Sequence, residues 1–221
     1  MTGFSWEDLW VFLNRRADDV LELTRDHLVV VLISLVLAAL IGIGLGILVR
    51  NRWVARTTVL TAAAVAITIP SLALLALLSP ILGLGWVPTV VALVFYSLLP
   101  IIRNTVVGLR EVPLPVLEAA RGMGLGPTRV LFTVQLPIAW PVIMTGVRVS
   151  AQLTVGIAAI AAYVAGPGLG EYIFRGLSSL GSKNALNYAL IGTVAVIVLA
   201  LVLDAVLILI ARLTTSRGLR V

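Results

Sequence analysis

Cysteine is absent from the chain, which removes disulfides and every thiolate metal site from consideration. Histidine occurs once. A zinc-binding histidine cluster is therefore impossible, and the place of His27 at the edge of an apolar run reads as an interfacial polar residue rather than a catalytic base. The one lysine, Lys183, lies between Ser182 and Asn184. No Gly-x-x-x-x-Gly-Lys-Ser/Thr loop surrounds it, so the chain lacks the usual phosphate cradle and is not expected to hydrolyse ATP alone. Charge is scarce too, at 12% of 221 residues, about half the share of a soluble domain.

What is present is long apolar runs. The hydrophobic class makes up 60% of the sequence and the mean hydropathy is +1.12. Runs of this length exceed what a single soluble core needs, and they are continuous rather than alternating, which excludes a membrane barrel. The fold class is an all-α polytopic membrane protein. The formal charge of +6 does not point to nucleic acid. The basic residues sit between or beside apolar runs, where anionic lipid headgroups and topology account for them.

Five spans are predicted. Residues 1–26 form a polar N-terminal segment with Trp6, Leu9, Trp10, Phe12 and Leu13 interspersed; either a short interfacial helix or a loosely ordered tail fits that pattern. Its acids Glu7, Asp8, Asp18, Asp19, Glu22 and Asp26 do not make the basic head of a cleavable signal, so the first span is expected to act as its own targeting signal. That span runs over 27–49, about 35 Å as a helix against a hydrocarbon core of about 30 Å. Within it Gly42, Gly44 and Gly46 either admit a close neighbouring helix or reflect the general use of glycine in membrane helices. The second span, 57–78, carries Pro70, where a kink is expected with Thr68 or Ser71 satisfying freed backbone groups. Spans over 87–107, 138–164 and 185–213 follow, and loops carrying Gly83 and Gly85, then Gly166 to Gly170, punctuate them.

Loop charge orients this arrangement. Arg50, Arg52, Arg56, Arg103, Arg110, Arg121, Arg129, Arg212, Arg217 and Arg220 fall on one side; Arg15, Arg16, Arg25, Arg175 and Lys183 fall on the other. The positive-inside tendency puts the N-terminus outside and the C-terminus, with a tail over 214–221, in the cytoplasm. An odd number of spans puts the two termini on opposite sides, as this arrangement requires.

Four polar residues within or near the spans stand out. Asp204 is an ionisable group inside an apolar run, costly to expose to lipid and so a functional suspect, with an interfacial position or helix pairing as the structural alternative. Arg148 has three readings: snorkelling, pairing with Asp204, or facing a water-filled route. Tyr96 and Tyr163 are two aromatic hydroxyls in or near spans, and no close aromatic cluster in the sequence forms a cage for a quaternary ammonium group.

One polar interval breaks the apolar pattern: Glu118-Ala119-Ala120-Arg121-Gly122-Met123-Gly124, then Leu125-Gly126-Pro127 and, further on, Gln135-Leu136-Pro137. Pro115 and Pro127 suit first helical turns, so two short helices joined by a glycine turn are expected over 113–134. Val116, Ala120 and Met123 form one stripe, with Leu117 and Gly124 beside it, and are expected to pack inward. Glu118 and Arg121 would then point away or support each other at i,i+3.

The order Glu118-Ala119-Ala120, Gly124, then Val134-Gln135-Leu136-Pro137 resembles the EAA signature of membrane subunits of bacterial ABC importers, with Val134 where isoleucine is more usual. Ile67-Thr68-Ile69-Pro70-Ser71, Ala165-Gly166-Pro167-Gly168-Leu169-Gly170 and the tail Arg212 to Leu219 are similar to the osmoprotectant permeases for glycine betaine, carnitine or choline. The resemblance implies a type I importer (MetI-like) fold in the bacterial plasma membrane. It implies that Glu118, Ala119, Ala120, Gly124 and Pro137 transmit movement from a separate ATPase, which binds ATP and magnesium. It also implies a second copy of the chain, an extracytoplasmic substrate-binding protein and alternating access, with no catalytic residue or cofactor in this subunit.

Three other functions remain to be weighed at this stage. The same machine can carry methionine or another amino acid. An ion-driven carrier is kept alive by Arg148 and Asp204, although five spans without an inverted repeat argue against it. A membrane scaffold without transport is the last.

Overall fold

The computed structural model describes residues 5–215. The tail residues Arg217 and Arg220, and the 216–219 part of the tail resemblance, lie outside the described residues. Helix α1 spans Trp6–Arg15 and α2 spans Ala17–Val49; α3 is Trp53–Thr68, α4 Ser71–Leu82 and α5 Trp86–Arg110. The interrupted region supplies α6, Leu114–Gly122, and α7, Pro127–Val130, and a π-turn over Leu131–Gln135 joins α7 to α8, Leu136–Ala161. Helices α9, Gly170–Ser178, and α10, Ala185–Thr214, are the last among the described residues. Among the described residues four helical stretches are long and apolar enough to cross a membrane, and the bent pair α3–α4 makes a fifth when counted as one span.

The bundle is built on α5, which packs along both α2 and α8. The shared core runs from Val30, Val31, Leu35 and Ala38 through Leu93 and Ile101 to Val147, Ala151 and Val155, and closes on Leu203 and Leu207 of α10. In lipid no hydrophobic drive separates core from surround, so close backbone approach decides which helices meet. A Cβ on Gly42 would lie 2.7 Å from Ile101 Cγ2, and one on Gly46 would lie 2.6 Å from Thr105 Cγ2. Gly44, on the opposite side of the helix, faces open space. The close-approach reading therefore holds for Gly42 and Gly46, not for Gly44.

Several boundaries differ from the sequence expectation. Helix α2 begins at Ala17, ten residues before the expected 27, and its 33 residues reach about 50 Å, longer than a hydrocarbon core of about 30 Å. Its polar first turns project beyond the apolar run. His27 is accordingly buried rather than interfacial: its Nε2 lies 3.1 Å from the Val155 carbonyl oxygen, and Gly168 packs on its Cβ. Gly168 has φ +115°, where a side chain is strained, and an added Cβ would stand 2.6 Å from His27 Cβ. The glycine loop over 166–170 is thus part of the core.

Pro70 produces more than a kink. The residue before a proline is pushed from helical to extended backbone. Ile69 takes φ −67°, ψ 127°, and α3 and α4 meet at 96°. The Ile69 carbonyl receives the hydroxyl of Tyr96, while Thr68 donates to Val65 O at 2.7 Å. A partner helix thus satisfies the bend's carbonyl. Helix α4 runs on to Leu82, and the loop expected before the last span contains α9.

From Trp6 onward the N-terminal segment is helical, not a tail. Helix α1 docks Phe12 edge-on to Tyr188 of α10 at 4.8 Å, and Tyr172 of α9 meets the same ring at 5.1 Å. The guanidiniums of Arg16 and Arg175 lie over these rings at 5.4–5.9 Å, adding cation–π attraction to the apolar contact. Burial, with Asp19 beside it, pushes the Tyr172 phenol above its ordinary pKa, so it stays a hydrogen-bond donor.

Candidate functional site

Helix α6 stands at one end of the bundle with a short sequence and firm ends. Pro115 occupies its first turn, where a missing N–H costs nothing. Its other end is a Schellman closure: Gly124 N–H donates to Arg121 O at 2.9 Å and Leu125 N–H to Ala120 O at 3.2 Å. That closure places Gly124 at φ +81°, a region glycine enters without penalty. Leu125 then folds back onto the cluster of Val112, Leu117, Ala120 and Val130, which also takes up Val134 and Ile138.

The inward face of α6 is therefore Leu117 and Ala120, both buried. The expected stripe is corrected here. Val116 is 39% and Met123 75% exposed; for Met123 the helix ends one residue earlier and the closure turns its side chain outward. Glu118, Ala119, Arg121 and Gly122 are exposed as well. Glu118 and Arg121 form no ion pair; the expected i,i+3 support is not made among the described residues. The projecting face thus joins one carboxylate, small residues and exposed methionine. Phe132, 60% exposed, is a further apolar side chain on the following π-turn, and sequence periodicity did not single it out.

Two short helices joined by a turn are present, but the second does not end. Helix α7 continues through the π-turn into α8, giving one unbroken stretch from Pro127 to Val164. Pro137 lies in the first turn of α8, and its ring would meet the Thr133 carbonyl in a regular helix; the widened turn immediately before it relieves that clash. The polar interval is consequently tied rigidly to a membrane span rather than hung from it.

Within the spans, Arg148 of α8 and Asp204 of α10 form a two-pronged ion pair, Nε to Oδ1 at 2.9 Å and Nη2 to Oδ2 at 3.0 Å. Gln152, one turn along α8, also interacts with the carboxylate. The side chains are 34% and 22% exposed. Bidentate geometry offsets the desolvation of both charges, and a single partner left in hydrocarbon would not be compensated. Tyr96 is buried at 3% and holds the α3–α4 bend. Tyr163, 63% exposed, lies near the ring of Phe174, 5.8 Å away. The two tyrosines thus have separate partners. Among the described residues no group of three or more His, Cys, Asp or Glu side chains is placed to hold a metal ion.

The chain is 39% identical over 209 residues to the choline transport system permease protein OpuBB of Bacillus subtilis, covering 95% of this chain and 94% of that one. Over 212 residues it is 37% identical to the glycine betaine/carnitine/choline transport system permease protein OpuCB of the same organism, covering 96% of each. The osmoprotectant import permease protein OsmW of Salmonella typhimurium is 39% identical over 204 residues, 90% of this chain and 93% of that one. Among solved structures, the MetNI methionine ABC transporter in an inward-facing conformation superposes with a TM-score of 0.77 at 22% identity, over 96% of this chain and 100% of that chain. At that identity the likeness speaks for the fold: an all-α, MetI-like helical bundle. Residues 31–216 match the family described as "Binding-protein-dependent transport system inner membrane component", and this multi-pass inner-membrane chain belongs to that family.

Proposed function

We propose that the chain is the permease subunit of an ATP-driven importer for quaternary-ammonium osmoprotectants, of the choline, glycine betaine and carnitine kind. The cargo is inferred from the names of relatives that match it along nearly their whole length. The observation that carries the mechanism is α6, a capped nine-residue helix with exposed Glu118, Ala119 and Met123, fixed to a span through the π-turn.

In this reading an ATPase subunit takes the exposed face of α6 into a cleft. Glu118 and Ala119 meet the ATPase. Ala120, being buried, seats α6 on the bundle, Gly124 holds its closure, and Pro137 marks where movement passes into α8. ATP binding supplies the driving free energy through its higher affinity for the closed ATPase pair, and the permease responds because that closure is linked to its helices. Two copies of the chain enclose the route, with the binding protein delivering solute on the other side. Arg148 and Asp204 pair two helices, Tyr96 sets the bend beside the route, and Tyr163 stands at its outer rim. The arginine-rich ends of α2, α5, α7 and α10 face the cytoplasm, so the N-terminal segment 1–26 is outside, 27–213 is the transport domain with 113–134 as its coupling region, and the tail 214–221 is inside.

The test is reconstitution of the chain with its ATPase and binding protein in vesicles, followed by uptake of labelled choline, glycine betaine and carnitine. Uptake that needs all three proteins and ATP is the expected result. Uptake of methionine alone would overturn the cargo, and uptake by this chain alone under an ion gradient would overturn the ATP-driven mechanism.

A further inference from the structure

Behind α6 lies a cavity of about 520 Å³ between the α2–α3 turn, the end of α5 and the start of α7. Arg50, Arg110 and Arg121 line it, together with Asn51 and Gln135, and no carboxylate does. None of the three arginines has an ion-pair partner among the described residues. Three guanidiniums around one cavity repel one another unless an anion sits between them.

Arg50 is the most constrained. Its Nη1 donates to the carbonyl of Ile47, closing the end of α2, and this leaves its Nε–H buried without an acceptor. That nitrogen is closed off from the cavity, so a ligand there meets the other donors of Arg50 together with those of Arg110 and Arg121. Guanidinium groups bind phosphate oxygens in forked geometry, so a phosphate among them would relieve the repulsion.

From this geometry we propose that the cavity binds the phosphate of an anionic lipid headgroup. Position and wall chemistry favour a lipid over a free phosphate. Arg50 directly follows the last residue of a membrane span, at the level where headgroups lie. Leu114, 60% exposed, lines the same cavity beside Leu109 and Leu117, offering apolar surface that a free anion would not use. The bound phosphate bridges α6, through Arg121, to the ends of α2 and α5, so the lipid holds the coupling helix in place. The inference rests on the reading above in taking α6 as the coupling helix and in placing this headgroup in the cytoplasmic leaflet.

The experiment uses the full chain purified in detergent and native mass spectrometry. Phosphatidylglycerol is titrated against phosphatidylcholine of the same acyl composition, with inorganic phosphate as a third arm. One phosphatidylglycerol should be retained per chain in preference to phosphatidylcholine. Arg50→Gln and Arg110→Gln should each weaken retention about fivefold, the effect of one basic residue near an anionic surface. Arg50→Lys should weaken it less. Arg110 is exposed, so its variant keeps the test valid if Arg50→Gln fails to fold, and Arg103→Gln, on the same helix outside the cavity, should change nothing. Equal retention of the two lipids, or retention indifferent to Arg50 and Arg110, would overturn the proposal. Competition by millimolar phosphate as effective as by lipid would reassign the cavity to a free anion, and stoichiometric displacement of lipid by the ATPase would reassign it to an acidic segment of that subunit. Because binding is read on the isolated chain without cargo or ATP, its failure is separate from failure of the transport reading.

Discussion

Replacing Gly124 separates a backbone requirement from a contact requirement. The residue sits at φ +81°, yet a Cβ built on it meets nothing within 4 Å. Alanine there pays only the left-handed backbone, about 1–2 kcal/mol. That corresponds to a factor of about 5–30 in the equilibrium between the closed helix end and an unravelled one. Leucine should cost about the same as alanine, because Gly124 is exposed and its Cβ direction is open. Asparagine should cost less, since it visits this region most readily after glycine, and valine more, because branching at Cβ is poorly tolerated there. The readout is transport per ATP hydrolysed in reconstituted vesicles, at equal co-purification of permease and ATPase. The expected order of coupling is glycine, asparagine, then alanine with leucine, then valine. Wild-type coupling in the alanine variant, or asparagine no better than alanine, would refute the closure as the reason for glycine. A loss graded by side-chain volume would point instead to contact with the ATPase.

Gly46→Leu should lower the melting temperature of the purified chain, because its first carbon already overlaps Thr105, whereas Gly44→Leu should leave it unchanged; equal effects would contradict close docking of α2 on α5. Removing either member of the ion pair, as in Arg148→Ala or Asp204→Ala, should destabilise by about 3 kcal/mol through an unpaired charge in hydrocarbon. The double variant should then cost no more than one of the singles, and additive losses in unfolding measurements would show that the pair is not coupled. Tyr96→Phe removes one hydrogen bond to the Ile69 carbonyl and should cost about 1–2 kcal/mol. A spin-label distance between α3 and α4 should broaden in that variant, and an unchanged distribution would mean that Pro70 alone sets the bend.

Much of the fold was legible because bilayer physics reads sequence directly. A run of some twenty apolar residues spans whatever its neighbours are, so the long helices and their order follow from composition. The helix stop at Gly124 and the starts at Pro115 and Pro127 are similarly local, each set by what one residue's backbone can adopt. Where local signals stopped, the reading failed in identifiable ways. The polar turns over 17–26 looked unlike a span, yet a helix continues past the bilayer once α9 and α10 give it an aromatic surface. Pro70 announced a break but not its angle. His27 reads as interfacial because nothing in its sequence neighbourhood reveals that Val155 and Gly168, more than a hundred residues away, enclose it.

The sequence by itself determined that this is a helical membrane protein with a structured polar interval, that glycine and proline bound the helices of that interval, and that no phosphate loop or thiolate site is present. These are properties of single residues and short runs. Tertiary structure alone decided which glycines lie at helix contacts, that Arg148 and Asp204 meet across 56 positions, that Met123 faces outward, and that Arg50, Arg110 and Arg121 surround one cavity. Those facts depend on how rigid helices pack, and packing joins residues that the order of the chain keeps apart.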